Sequence, residues 1–136
     1  MNLVYPMFAL FALTLGVGAR LGYLRFTYVS RGLADPEYYK AYQGKEPEPV
    51  RVAARHLTNL FETPVLFYAG CLLGLVTGQG GTLPAALAWA YVAARCVHTA
   101  IHLGPNVVLR RFQVFVVSLL ILAALWVTLF VGYVAR

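Results

Sequence analysis

Residues 55–68 read RHLTNLFETPVLFY. The second half has the composition of a membrane helix. The first half carries Arg55, His56, Asn59 and Glu62, which hydrocarbon rejects. On a helix, Arg55, Asn59 and Glu62 stand at i, i+4 and i+7 and share one face, and Arg51 extends the stripe by a turn. An ionised side chain in the middle of a bilayer costs roughly 2.5–3.5 kcal/mol on insertion scales, so a polar stripe at the mouth of a spanning segment marks a functional site by default.

The rest of the chain supports the membrane reading. Of 136 residues, 60% are apolar and 12% charged, where a soluble domain carries about 25% charged residues. Only helices and closed barrels span lipid, because backbone groups there must be satisfied internally. Barrel strands would alternate with period two, whereas this chain has long unbroken apolar runs. The expected fold is all-α: a single-domain integral membrane four-helix bundle, with helices at about 3–29, 50–76, 84–103 and 107–134 and spans of roughly 20 residues.

Within the first run, Pro6 suits a first turn or a mild kink, Gly16, Gly18 and Gly22 are expected to permit close helix approach, and Arg20 and Arg25 are placed to snorkel toward headgroups. Residues 30–50 form the one extended polar stretch and hold Asp35, Glu37, Glu46 and Glu48, four of the five acids. Tyr38, Tyr39 and Tyr42 suggest an interfacial segment there, and Pro49 is placed to open the second helix. A glycine-rich loop, TGQGGTLP (77–84), precedes the third helix, and Gly104–Asn106 the fourth.

The net charge of +6 comes from basic residues at the ends of apolar runs, which reads as topology anchoring and not as a nucleic-acid surface. Lys and Arg concentrate in the loop between helices one and two and the turn between three and four. The loop between two and three has none, and Arg136 is the one dissenting charge. Both termini are therefore expected outside the cytoplasm, in a multi-pass protein of the bacterial inner membrane. The N-terminus lacks a basic n-region and its first run is too long for an h-region, so no cleavable signal is expected. Cys71 and Cys96 lie inside apolar segments and read as small packing residues.

The third helix carries a second stripe: Arg95, His98 and His102 stand at i, i+3 and i+7. The economical arrangement sets the two stripes against each other or against a neighbouring subunit, with Glu62 neutralised by an arginine. Three readings follow. One is a structural ion pair between Arg55 and Glu62, with the histidines as interhelical hydrogen-bond donors. Another is an aqueous anion pocket near the cytoplasmic face, since Arg51, Arg55, Arg95 and Arg110 outnumber the single acid. The last is a metal-binding redox site on His98 and His102, one turn apart, completed by Glu62 or His56.

The pattern R-x-x-x-N-x-x-E followed by proline, here Arg55, Asn59, Glu62 and Pro64, resembles the second-helix signature of the MAPEG superfamily, the membrane-associated proteins in eicosanoid and glutathione metabolism. The size, the four-helix plan and the charged first loop are similar too, and the nearest likeness is to bacterial members. The resemblance implies a homotrimer that binds glutathione as co-substrate between subunits near the cytoplasmic side. It assigns Arg55, Asn59, Glu62 and Arg95 to the tripeptide, with Arg51 as an auxiliary contact. His98 and His102 occupy the positions where glutathione-using members often carry tyrosines. Arg110 is the implied aid to thiolate formation, and Arg25 or Arg31 stands for an arginine at the end of helix one. The implied activity is that of a glutathione transferase or peroxidase acting on apolar electrophiles that enter from the lipid. The alternatives are a non-catalytic protein that binds lipid or a small anion, and the metal-binding redox protein.

Overall fold

The computed structural model describes residues 2–135, so Arg136 lies outside the described residues. Five helices follow in order: α1 (Val4–Ser30), α2 (Tyr38–Ala41), α3 (Glu48–Val76), α4 (Thr82–Leu103) and α5 (Val108–Val134). Four are long and α2 is a single turn, an element the sequence reading did not resolve inside the polar stretch. No strand occurs among the described residues. Helix α3 starts at Glu48 and α4 at Thr82, each two residues ahead of the expected position. Proline is tolerated throughout a first helical turn, where its missing N–H has no partner to lose, so Pro49 and Pro84 sit inside their helices instead of marking the first residue.

Helices α1, α3 and α5 are long and apolar enough to cross a membrane. Helix α4 is 22 residues long, but its second half carries Arg95, His98 and His102, and it spends that polarity inward, on α3 and α5. Three helices of this length and hydropathy are the build of a membrane protein. Its exterior is accordingly apolar, with Phe8, Phe11 and Phe26 on α1 and Leu120, Val127 and Phe130 on α5 all exposed.

Helices α3 and α4 run antiparallel: Phe67 stacks on Tyr91 at 4.8 Å between ring centroids, and His56 meets His102. Helix α1 is antiparallel to α3, with Leu3 beside Gly74 and Leu57 beside Gly18. Two glycines sit at close contacts between elements: Gly70, where an added Cβ would lie 3.2 Å from Trp126 Nε1, and Gly74, where it would lie 2.7 Å from Leu3 Cδ1 and 3.0 Å from Leu129 Cδ2. Gly16 and Gly22, expected to serve this purpose, have open space around them within the chain, and Gly18 only reaches Leu57 at 4.0 Å. The expectation was one of composition, since a glycine run says nothing about which face is packed.

Apolar packing falls into two clusters. The larger joins Leu3 and Leu10 with Phe67, Cys71, Ala85, Ala88, Tyr91, Leu122 and Leu125. The smaller joins Leu21, Val50 and Ala53, with Tyr28, Leu57 and Leu103 against it. Along both α3 and α4 the polar residues lie between these clusters. The polar loop is anchored: Arg25 Nε lies 3.6 Å from Glu46 Oε1, and its guanidinium lies 4.9 Å above the Tyr39 ring. Arg25 therefore pairs within the chain instead of reaching freely toward headgroups. Tyr38, Tyr39 and Tyr42 pack edge to face around it, which makes the loop a clasp on the end of α1.

Candidate functional site

A cavity of about 350 Å³ opens between α3, α4 and α5, lined by Arg55, Asn59 and Glu62 from α3, His98 and His102 from α4, and Val108, Arg111, Phe112 and Phe115 from α5. The two polar stripes are thus brought together. Antiparallel packing explains why: the stripe on α3 occupies the N-terminal half of that helix and the stripe on α4 the C-terminal half, reaching His102 in its last turn, so the two fall at the same level.

Arg95 is fully buried beside the cavity. Its Nη2 donates to Asn59 Oδ1, and its guanidinium lies 5.9 Å from the Phe115 ring centroid. Its Nε and Nη1 are buried with no hydrogen-bond partner within the chain. Buried polar groups are nearly always satisfied, so the N–H groups on these two nitrogens are available to a bound ligand. Glu62 is exposed, and Asn59 Nδ2 approaches its Oε2 at 3.5 Å. The ion pair of Glu62 with an arginine is not formed among the described residues. Asn59 stands between them, holding Arg95 with its carbonyl oxygen and facing Glu62 with its amide, and so occupies the arginine's place beside the acid.

The other expected residues divide. Arg51 lines a separate cavity of about 580 Å³ on the α1 side, with Arg25, Tyr42 and Glu46; Arg55 lines both cavities. Arg110 is exposed and does not line the cavity; its neighbour Arg111 does. Arg111 Nη1 donates to Asn106 Oδ1 at 2.8 Å, and Asn106 adopts the left-handed conformation, φ 47°, that turns the chain from α4 into α5. Cys71 is buried in the larger apolar cluster and Cys96 is exposed on α4, both as free thiols.

His56, expected only as one possible completion of a metal set, and Thr99, not expected at all, are central to the site. His56 is fully buried. Its Nε2 lies 2.8 Å from Thr99 Oγ1 and its Nδ1 lies 2.9 Å from His102 Nδ1. Thr99 Oγ1 donates its single hydrogen to the Arg95 carbonyl oxygen, 2.8 Å away, as threonines in helices commonly do. Toward His56 it must then accept, which fixes the proton of a neutral His56 on Nε2 and leaves Nδ1 as a bare lone pair. His102 consequently donates through Nδ1. The three rings of His56, His98 and His102 form one group, with centroids 4.8–5.6 Å apart. A period-3 and period-4 reading finds His56: Ala53, His56, Leu60 and Phe67 fall on the buried face of α3.

No curated protein and no solved structure matches this chain. The family model for the MAPEG family matches residues 3–131, nearly the whole length and all four long helices with the cavity between them. The polar stripes, the cavity they line and the apolar helices that carry them are therefore features of a chain that belongs to the MAPEG family.

Proposed function

We propose that the protein binds glutathione in the cavity between α3, α4 and α5 and promotes attack of its thiol on apolar electrophiles, as a transferase or peroxidase. One observation carries this reading: the cavity presents two guanidinium groups, Arg55 and Arg111, and one carboxylate, Glu62, against Phe112, Phe115 and Val108. Glutathione bears two carboxylates and one ammonium group, so each charge of the tripeptide has a counterpart, and the apolar wall suits a lipophilic second substrate. Paired charge-assisted contacts of this kind are the strong ones. The open donors of Arg95 extend the cationic side of the site.

The chemistry follows from the charge. A free thiol with a pKa of about 8.5 is a poor nucleophile at neutral pH, and a neighbouring cation that stabilises the thiolate makes it a better one. The proton leaves to solvent, the sulfur lone pair forms the new bond, and the electrophile's leaving group departs. Within one chain Arg111, which lines the cavity where Arg110 does not, is the cation placed to serve such a thiolate. In a homotrimer, which the family resemblance implies, Arg51 and Arg110 are free to serve a site shared with the adjacent subunit. The orientation in this proposal has both termini outside the cytoplasm and the cavity near the cytoplasmic face.

The test is equilibrium binding of glutathione to the purified protein in detergent, with thiolate absorbance followed in the ultraviolet. Binding weakened at least tenfold by Arg55→Ala and by Glu62→Gln is the expected result. Binding of glutathione with no thiolate signal across pH 6–8 would identify a site that holds anions without activating them. Absence of binding would sink the proposal.

A further inference from the structure

We propose that His56, His98 and His102 form a three-histidine site for a first-row divalent cation, zinc above all, with its remaining coordination position open to the cavity. This inference does not depend on glutathione binding. The geometry carries it. One ring nitrogen from each of the three residues lies within 4.8 Å of the others, and all three residues are buried. Zinc binds imidazole nitrogen at about 2.0–2.1 Å, which sets tetrahedral ligand nitrogens about 3.3 Å apart. The His56 and His102 nitrogens, 2.9 Å apart, are already close to that spacing. The third needs an adjustment on the order of 1 Å to reach the ligand distance.

Three further observations point the same way. The Nδ1 of His98 is buried and has no hydrogen-bond partner, so a donor atom inside the cluster stands unused. His98 and His102 are one turn apart on α4, the spacing by which two helical histidines grip zinc from one face. His56 has the arrangement a ligand needs: its Nε2–H is tied to Thr99 Oγ1, which is itself tied to the Arg95 carbonyl. Histidine ligands almost always donate their second N–H in this way, which fixes the ring and presents the bare nitrogen to the metal. On metal binding the His56–His102 hydrogen bond is replaced by two metal bonds, and the His102 proton moves to Nε2.

Three protein ligands and an open fourth position are the pattern of zinc sites that take an exchangeable ligand. Three neutral imidazoles leave the cation's charge uncompensated, and Arg55, Arg95 and Arg111 stand near it. The fourth ligand is therefore anionic. A small anion from solution meets this need at the open position, with Glu62, which lines the same cavity but stands outside the three-histidine group, at its mouth.

The experiment uses the full chain in detergent, purified without a polyhistidine tag and stripped with a chelator. Cobalt(II) is titrated alone and the visible absorption followed, then zinc is added. One cobalt per chain with an intense low-symmetry spectrum, bleached by zinc, is expected. His98→Gln and His102→Gln should each abolish the spectrum, and Thr99→Val should weaken zinc about 10- to 100-fold, the usual effect of losing a ligand's supporting hydrogen bond. If the variants fold poorly, the unvaried protein decides: zinc must raise its melting temperature, as any ligand of the native state does. Two results would overturn the proposal: no cobalt spectrum together with no zinc-induced shift, or a spectrum that survives in a folded His98→Gln/His102→Gln protein.

Discussion

His56 stands one residue beyond Arg55, about 100° further round the helix, and that rotation decides its role. It leaves the stripe of Arg55, Asn59 and Glu62 and enters the contact with α4, where it links His102 to Thr99. The stripes themselves were legible because residues at i, i+4 and i+7 declare a common face. His56 and Thr99 were not, because their role depends on which face of α3 meets which face of α4. Arg111 was hidden for a related reason: adjacent arginines at the start of a helix differ only by that same rotation, and a turn with Asn106 in the left-handed region chose between them. Thr99→Val should leave the His56 N–H buried without an acceptor and destabilise the protein by about 1–3 kcal/mol, seen as a lower melting temperature in detergent. Arg111→Ala should weaken glutathione binding at least tenfold while leaving the helical circular dichroism intact. In the polar loop, burial first and then Glu46 raise the Tyr39 phenol above its ordinary 10.0. Its protonated form is the one the fold favours, so its contribution is complete below about pH 10 and is lost as pH rises through the raised value. Phenolate absorbance in the unvaried protein against Tyr39→Phe should show this late-titrating group.

At the scale of the element, all four long helices were legible, since unbroken apolar runs too long for strands leave one secondary structure in lipid. The first residues of α3 and α4 were displaced by two, because a proline inside the first helical turn looks like a boundary in sequence. The single turn α2 was not legible: four residues carry no periodicity, and it is held by Arg25, Glu46 and the tyrosine edges, not by its own pattern. Helix contact sites were also illegible, since every glycine looks alike until its neighbours are placed. Gly74→Ala should push into both Leu3 and Leu129 and cost about 1–3 kcal/mol, as overpacking does. Gly22→Ala, with open space around it, should not lower the melting temperature of the single chain. A loss of assembly in Gly22→Ala, read by sedimentation in detergent, would place that face between subunits.

For the molecule as a whole, composition was enough to read an all-helical membrane protein, and the motif of the second helix was enough to suggest the family. What the site accepts was not legible, because it arises from three helices whose relative heights no local pattern encodes. The expected topology has a direct check. A cysteine placed at Gln79, in the loop between α3 and α4, should react with a membrane-impermeant maleimide from outside intact cells. One placed at Lys45 should react only after permeabilisation. The opposite pattern would invert the orientation and move the cavity to the outer face.

The split of the apolar packing into two clusters, with a polar layer between them, has a consequence for motion. Cooperative units open with free energies set by how much apolar contact each contains. The smaller cluster around Leu21, Val50 and Ala53 is the weaker unit, and the larger one around Phe67, Tyr91 and Leu125 holds the other end. Deuterium should therefore enter the amides of residues 50–57 well before those of residues 67–74, although both belong to one continuous helix. A ligand in the layer between them would slow the first set toward the second, so exchange mass spectrometry can register an occupant of the site before any chemistry is known.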